Sequence, residues 1–479
     1  MKVAGVVNCP HNAQHLIMTI WPPQPGTLRR PAYRSLAQAI LDAIESGDLN
    51  DGDRLPTHRN LAYDLGLSVQ TVSRAYDELI RRSAITGEVG RGTFIRTTRN
   101  EARVPYLPRT PDEPVIDFSL LKPVLDGTHE AAMRKALRDI SEDLPPTVFS
   151  SFRPGVALGK YKPTALKWLA RCGIEFGHQG IMITNGSSSA MHLAMLTVAS
   201  SGDLVAADAL THHTLKPLAR YLGIRLRGLP GDEAGMLPEA LDAASRRDGV
   251  KAVFLMPAGL GPQTRILSEA RRQELAEVAR THDIAIIEND AWGPLGHKRI
   301  APIATFAPER TFYFTGFSKC AMPGLRVGFL VMPDTYEAAT ANRHLVTNWT
   351  ATPLMAEIAA RWIEDGTAQH LIKNQAKQLA IRNRKAANIL KGIKLHHHPT
   401  SMHLWLELPD TWSEDDFVAH SRQHGVAIAP GSAFAVNEDG TTRAVRICIG
   451  GMSLAELEEG LTIIGRLVRG QSEPALLTI

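Results

Sequence analysis

The chain has 479 residues, 44% hydrophobic and 21% charged, enough to bury more than one core and to form two or three globular domains. Its 53 Lys and Arg against 49 Asp and Glu leave a formal net charge of +4, which neither demands nor excludes a nucleic acid, so any case for DNA has to come from local motifs. The cysteines, Cys9, Cys172, Cys320 and Cys448, are scattered and offer neither a disulfide framework nor a zinc knuckle, and no apolar run approaches the ~20 residues of a spanning helix, so a reducing, cytoplasmic setting is expected.

Residues 1–26 carry Pro10, Pro22, Pro23 and Pro25 and read as an irregular lead-in. In the stretch 27–96, Leu36, Ile40 and Ile44 recur every four residues before Gly47, which predicts an amphipathic helix. Thr57 opens a short helix over His58–Leu65, Gly66 makes a turn, and Ser68 caps a second helix whose Val69, Val72, Leu79 and Ile80 share a face. Ile85–Ile95, with β-favouring residues around a Gly90-Arg91-Gly92 tip, reads as a hairpin. Together these predict a winged helix-turn-helix, an α+β domain. Residues 97–114 have linker composition. From 115 to 345 short apolar runs (Gly180–Thr184, Leu204–Ala207, Ala252–Met256, Ile284–Glu288) alternate with helical stretches (Ala190–Ala199, Ser268–Thr281), which predicts an α/β domain with a mainly parallel sheet. Long helices over Met355–Glu364 and Ile372–Leu390, a strand over His403–Leu408 and a helix from Ser453 predict a smaller α+β domain over 346–479.

In a winged helix the second helix of the turn presents its first residues to the major groove while flanking cations hold phosphates. Ser68, Gln70, Thr71 and Arg74 occupy that position, with Arg59 just ahead and Arg91 at the wing tip. Gln reads adenine bidentately, Ser and Thr meet base edges or phosphates, and the arginines supply charge. A solvated face of a protein-interaction module would account for any one of them. The run Gly52-Asp-Arg-Leu-Pro-Thr-His-Arg59, with Leu61-Ala62, Thr71-Val-Ser-Arg-Ala-Tyr76 and Gly90-Arg-Gly-Thr-Phe94, resembles the DNA-binding domain of GntR-type bacterial regulators. The resemblance implies a dimer on operator DNA with repeated half-sites.

The sharpest chemical motif is Ser318-Lys319-Cys-Ala-Met-Pro-Gly-Leu-Arg326-Val-Gly328, in which Lys319 offers an amine and Arg326 a guanidinium for a phosphate. It resembles fold-type I pyridoxal-phosphate enzymes of the aminotransferase class, and the resemblance implies Schiff-base Lys319 and phosphate-binding Arg326. Asn185-Gly186-Ser187-Ser188-Ser189 follows a strand and opens a helix, a place where backbone N–H groups and the helix dipole receive a phosphate, although a plain strand-to-helix turn has the same look. Arg446, within the apolar strand Ala444–Ile449, resembles the arginine that clamps the substrate carboxylate in that class; a structural ion pair is the alternative. The combination is similar to the MocR subfamily of regulators, which implies a head-to-tail homodimer in which pyridoxal phosphate and an amino-acid or amine effector set the DNA-binding state.

Several positions depart from the aminotransferase pattern. Asn289 stands in place of the Asp that pairs the ring nitrogen, and Trp292 in place of the Tyr that bonds the ring oxygen; a neutral Asn weakens the electron sink that transamination requires. Asp290 would substitute only if the turn shifts by one residue. His212 stands in place of the ring-stacking Tyr, Gly261 in place of a hydrogen-bonding side chain, Phe152 in place of a Tyr that reaches the partner's phosphate, and Gly316 in place of a hydroxyl. His396–His398 read as surface residues rather than a metal site, and Trp168, Trp362 and Trp405 as core.

The expectation is a DNA-binding transcriptional regulator whose aminotransferase-like domain senses an amine or amino acid through Lys319-bound pyridoxal phosphate and Arg446, with weak or no transaminase activity. The alternatives are a working aminotransferase with a DNA-binding appendage, and a regulator whose second domain has lost the cofactor and only dimerises.

Overall fold

The computed structural model describes Pro23, Leu28 and residues 31–45, 48–49, 52–81, 84–88, 92–95, 115–149, 159–175, 177–295, 299–437 and 442–470. The expected irregular lead-in apart from Pro23, the linker 97–114, Arg91 and Phe152 lie outside them. The chain divides into two compact units, residues 1–107 and 108–479.

In the first unit α1 (Ala32–Glu45), α2 (His58–Leu65) and α3 (Val69–Arg81) pack on a three-stranded antiparallel sheet in which β1 (Arg54–Leu55) and β2 (Ile85–Glu88) flank β3 (Gly92–Ile95). The punctuation is local chemistry. The Thr57 side chain accepts from the Asn60 N–H, Gly66 ends α2 at φ 64°, and the Ser68 hydroxyl accepts from the Thr71 N–H at 3.1 Å. The buried face of α3 differs from the expected one. Val72 and Leu79 are buried with Ala75 and Tyr76, whereas Val69, the first residue of the helix, and Ile80, one position past Leu79, are about half exposed.

The second unit is built on a seven-stranded sheet. Its strands in chain order, after the two-residue β4 (Ile116–Asp117), are β5 (Gly180–Thr184), β6 (Leu204–Asp208), β7 (Arg225–Leu229), then, beyond the hairpin β8 (Gly231–Asp232) and β9 (Gly235–Met236), β10 (Val250–Leu255), β11 (Ala285–Asn289), β12 (Thr311–Gly316) and β13 (Gly328–Met332). Their spatial order is β5-β13-β12-β11-β10-β6-β7. Only β13 runs against the rest, so the C-terminal ends of the other six open on one edge, where ligands of such sheets bind.

A four-stranded sheet follows, ordered β14 (Leu395–His396), β15 (His403–Glu407), β18 (Ala444–Cys448) and β17 (Ala429–Pro430), with β16 (Val426–Ala427) pairing in parallel with β4. Its core includes Phe118, so the start of the unit packs with its end. The expected start of the smaller domain at residue 346 does not match the packing. Helix Pro353–Glu364 buries Ile358 and Trp362 in the core of the large sheet, a consequence of its apolar face meeting helix Lys162–Arg171. No helix among the described residues is long and apolar enough to cross a membrane.

Candidate functional site

The residues singled out in the second unit come from different strand ends and from β18. Gly186, at φ 81°, starts helix Ser187–Val198 directly after β5. That helix start is seated on glycines: a Cβ on Gly328 would lie 2.7 Å from the Gly186 carbonyl carbon and 3.0 Å from the Ser187 nitrogen. A Cβ on Gly316 would lie 2.8 Å from the Val327 carbonyl oxygen and 2.9 Å from the Ser187 hydroxyl. Gly316 is therefore required by close packing, and the Ser187 hydroxyl takes the space where a hydroxyl at 316 would project.

Arg326 sits in the left-handed region at φ 49°, where a non-glycine residue is uncommon, at the end of the short Pro323–Leu325 turn. From there its Nη1 donates to the Ser318 hydroxyl at 3.2 Å, and its guanidinium lies against Gly186, 2.9 Å from where a Cβ would stand. Ser188 is exposed, while Ser189 in the same first turn keeps a buried hydroxyl without a partner. A helix N-terminus, an arginine and an unpaired buried hydroxyl suit a phosphate.

The Lys319 ammonium donates to the Leu121 carbonyl oxygen at 2.8 Å. Burial pushes its pKa down to about 8, and the charges of Arg446 and Arg326 add to the effect. Arg446 is buried on β18; its Nη2 donates to the Ser119 carbonyl oxygen at 2.9 Å, its guanidinium lies 4.5 Å from the Phe434 ring centroid, and its Nε has no partner. Among the described residues no carboxylate pairs with it, so the structural ion pair left open by the sequence is absent. His212 is held by Thr214, whose backbone N–H donates to Nδ1 at 3.3 Å, and stacks on His213. Burial, with His213, Lys319 and Arg446 nearby, keeps its pKa well below the usual histidine range, so the ring is neutral.

At the end of β11, Asn289 is buried, and its Oδ1 accepts from the Ala291 N–H at 3.1 Å. Asp290 does not join the site. Its Oδ2 accepts from the Tyr313 hydroxyl at 2.6 Å and pairs with Arg299, which also donates to the Gly293 carbonyl. The turn is not shifted by one residue, and Asp290 serves a buried structural network. Trp292 is buried with its indole N–H unpaired and its ring stacked on His403, 6.3 Å between centroids. A Cβ on Gly261 would meet nothing nearer than 3.7 Å, so a side chain there is missing by composition and not by crowding.

His403 and Phe434 were not singled out from the sequence, and Ser189 only as part of the run that opens the helix. His403 is buried on β15, and its Nε2 bonds the Gly261 and Pro262 carbonyl oxygens at 3.1 Å each. Its only sequence signal was a histidine at the head of the apolar run Leu404–Leu406. His396–His398 are half-buried and not surface residues; His396 bonds Glu407 at 2.7 Å. Among the described residues no group of three or more His, Cys, Asp or Glu could hold a metal ion.

In the first unit Gln70 and Arg59 are exposed and have no hydrogen-bond or ion-pair partner among the described residues. Ser68 and Thr71 bond each other at 2.8 Å, and Arg74 lies over the Tyr33 ring at 4.9 Å. The helix cap and α1 thus already occupy three of the expected DNA contacts.

Residues 129–464 match the family model for aminotransferase class I and II, and residues 32–95 that for bacterial regulatory proteins of the gntR family. The chain is 27% identical to the HTH-type transcriptional regulator YdeF of Bacillus subtilis, over 94% of this chain and 96% of that protein, and 26% identical to the HTH-type transcriptional regulator YjiR of Escherichia coli, over 85% and 92%. Its fold is similar to that of the kynurenine aminotransferase of Pyrococcus horikoshii, with a TM-score of 0.68 and 22% identity over 74% of this chain and 91% of that one.

Proposed function

The chain belongs to the aminotransferase class I and II family and carries a gntR-family domain, which makes it a GntR-type regulator fused to an aminotransferase-like domain, and from that premise we propose that it binds pyridoxal phosphate at Lys319 and uses it to sense an amine or amino acid. The observation that carries this reading is a set of three cations, Lys319, Arg326 and Arg446, with no carboxylate partner among the described residues. Such a cluster is costly until anions enter it. A phosphate against Arg326 and the Gly186 helix start, and a ligand carboxylate on Arg446, are two anions of the right kind.

Bound there, pyridoxal phosphate supplies an aldehyde for amines and a ring that draws electrons from the adduct. Lys319 holds the amine that would take that aldehyde, in a pocket that favours its neutral, nucleophilic form. Neutral His212 presents a flat ring for stacking. Asn289 presents only an amide to the ring nitrogen, and that amide already accepts from its own turn. A carboxylate would hold the ring proton; an amide does so weakly, so binding and readout are supported better than turnover.

The dimer in this reading is supported by large apolar side chains that the single chain leaves open, Phe149 at 68%, Val346 at 86% and Trp349 at 52% exposure. The winged helix supplies the DNA-binding half.

The test is the absorption spectrum of the full-length protein with added pyridoxal phosphate. Wild type is expected to acquire a visible cofactor band that Lys319→Ala lacks, and amino-group transfer from L-glutamate is expected to be slow in wild type and at least about tenfold faster in Asn289→Asp, equivalent to ~1.4 kcal/mol. A wild-type spectrum that at saturating cofactor equals the sum of protein and free pyridoxal phosphate would sink the reading, leaving a scaffold for dimerisation. Fast wild-type turnover would make it an enzyme.

A further inference from the structure

A cavity of about 300 Å³ lies against the Gly261–Pro262 turn. Asp208, at the end of β6, and Gln263 and Arg265, after the turn, supply its polar side chains, and the β8–β9 hairpin closes it with backbone at Gly231 and Gly235. Lys319, Arg326 and Arg446 do not line it, and its Gly261–Pro262 wall carries the carbonyl oxygens that bond His403.

The cavity holds two opposite charges that do not satisfy each other. The Asp208 side chain has no hydrogen-bond partner among the described residues, and burial pushes its carboxyl up to about 7, with Arg265 offsetting part of the effect. The Arg265 Nε is buried and unpaired, and the carboxylate nearest its guanidinium is that of Glu233, at 3.6 Å and 83% exposed, a contact that water screens. A half-buried carboxylate with no donor among the described residues and an enclosed guanidinium N–H with no acceptor leave hydrogen-bonding capacity unused, and both line one small concave space. Its volume is at the small end of ligand pockets. A molecule with an ammonium and a carboxylate a few bonds apart would satisfy both groups at once.

We propose that this cavity is a second small-molecule site, which takes a free amino acid with its ammonium on Asp208 and its carboxylate on Arg265, independently of Lys319. The ligand would bear on the Gly261–Pro262 turn, whose carbonyl oxygens hold His403 from the other side. Occupancy would thereby stiffen the turn that holds His403, whose ring stacks on Trp292, without contact with Lys319.

The experiment is isothermal titration of the full-length protein carrying Lys319→Ala and Arg446→Gln together, in which the other site has lost its amine and its carboxylate clamp, with each proteinogenic L-amino acid in turn. At least one is expected to bind this variant, and to bind at least tenfold more weakly when Asp208→Asn or Arg265→Gln is added. Circular dichroism checks folding; Arg265→Gln, at the rim, decides the matter if Asp208→Asn does not fold. No binding by any amino acid, or binding indifferent to both substitutions, overturns the proposal. Neither result depends on whether pyridoxal phosphate binds at Lys319.

Discussion

An amine attacks an aldehyde only when it has lost its proton, so the surroundings of Lys319 set the pH at which it becomes reactive. With its pKa pushed down to about 8, roughly a tenth of the amine is neutral at pH 7, far more than for a lysine with an ordinary pKa near 10.4. The rate of pyridoxal-phosphate association, followed by stopped-flow absorbance, is expected to rise with pH and level off just above pH 8. Arg446→Gln, which removes a neighbouring cation, should move that inflection upward; a rate still climbing at pH 10 in wild type would contradict the assignment. The sign for stability follows from the same shift. Between about pH 8 and 10.5 the unfolded chain holds the proton and the folded one does not, so this group makes the unliganded protein more stable as pH rises through that window. Lys319, Arg326 and Arg446 stood out in the sequence through the motifs that resemble the aminotransferase class, and the structure leaves all three without a carboxylate partner among the described residues. The place of Asp290 was not legible, because a carboxylate beside Asn289 reads the same whether it faces a ring or Arg299 and Tyr313. Nor were the unpaired state of the Ser189 hydroxyl and the burial of His403, which are tertiary facts.

At the scale of elements, caps and periodicity located the helices well. Thr57, Ser68 and Ser453 each cap the helix that follows them, because a short hydroxyl before an apolar repeat satisfies the free N–H groups of the first turn. The two-residue strands β4 and β16 left no such mark, since two residues carry no alternation and their pairing joins segments some 310 positions apart (426 against 116). The apolar face of α3 was only partly legible because Val69 and Ile80 are apolar without being buried. The same helix bears a test that separates its two kinds of contact. Gln70 projects from its first turn and Arg59 from the start of α2, both exposed. In fluorescence anisotropy with operator and scrambled duplexes, Gln70→Ala is expected to lose about 1–3 kcal/mol of discrimination between them. Arg59→Ala should weaken both duplexes alike and lower the salt slope by about 1. A Gln70→Ala protein that discriminates as well as wild type would move base reading to another part of the domain.

For the whole molecule, a regulator needs the ligand site and the DNA site to share a free-energy term. An effector held beside Lys319 with its carboxylate on Arg446 would alter operator affinity only by the ratio of its affinities for the DNA-competent and DNA-incompetent states. Linkage makes the effect reciprocal: if saturating effector changes operator affinity by a given factor, saturating operator must change effector affinity by the same factor. The expected magnitude for such coupling is roughly 5–150-fold, about 1–3 kcal/mol. Two titrations of cofactor-loaded protein check it, operator anisotropy with and without the amino acid that perturbs the cofactor spectrum, and that spectral titration with and without operator. Equal factors above about fivefold would establish a sensor. An amino acid that perturbs the spectrum yet leaves both isotherms unmoved would mean that the two units are joined in sequence without being coupled in energy, and that the aminotransferase-like unit serves a purpose other than control of the winged helix. The cavity at Asp208 and Arg265 adds a third arm to the same cycle. If its ligand stiffens the Gly261–Pro262 wall, it should tighten effector binding at Lys319, and the effector should tighten its binding by the same factor.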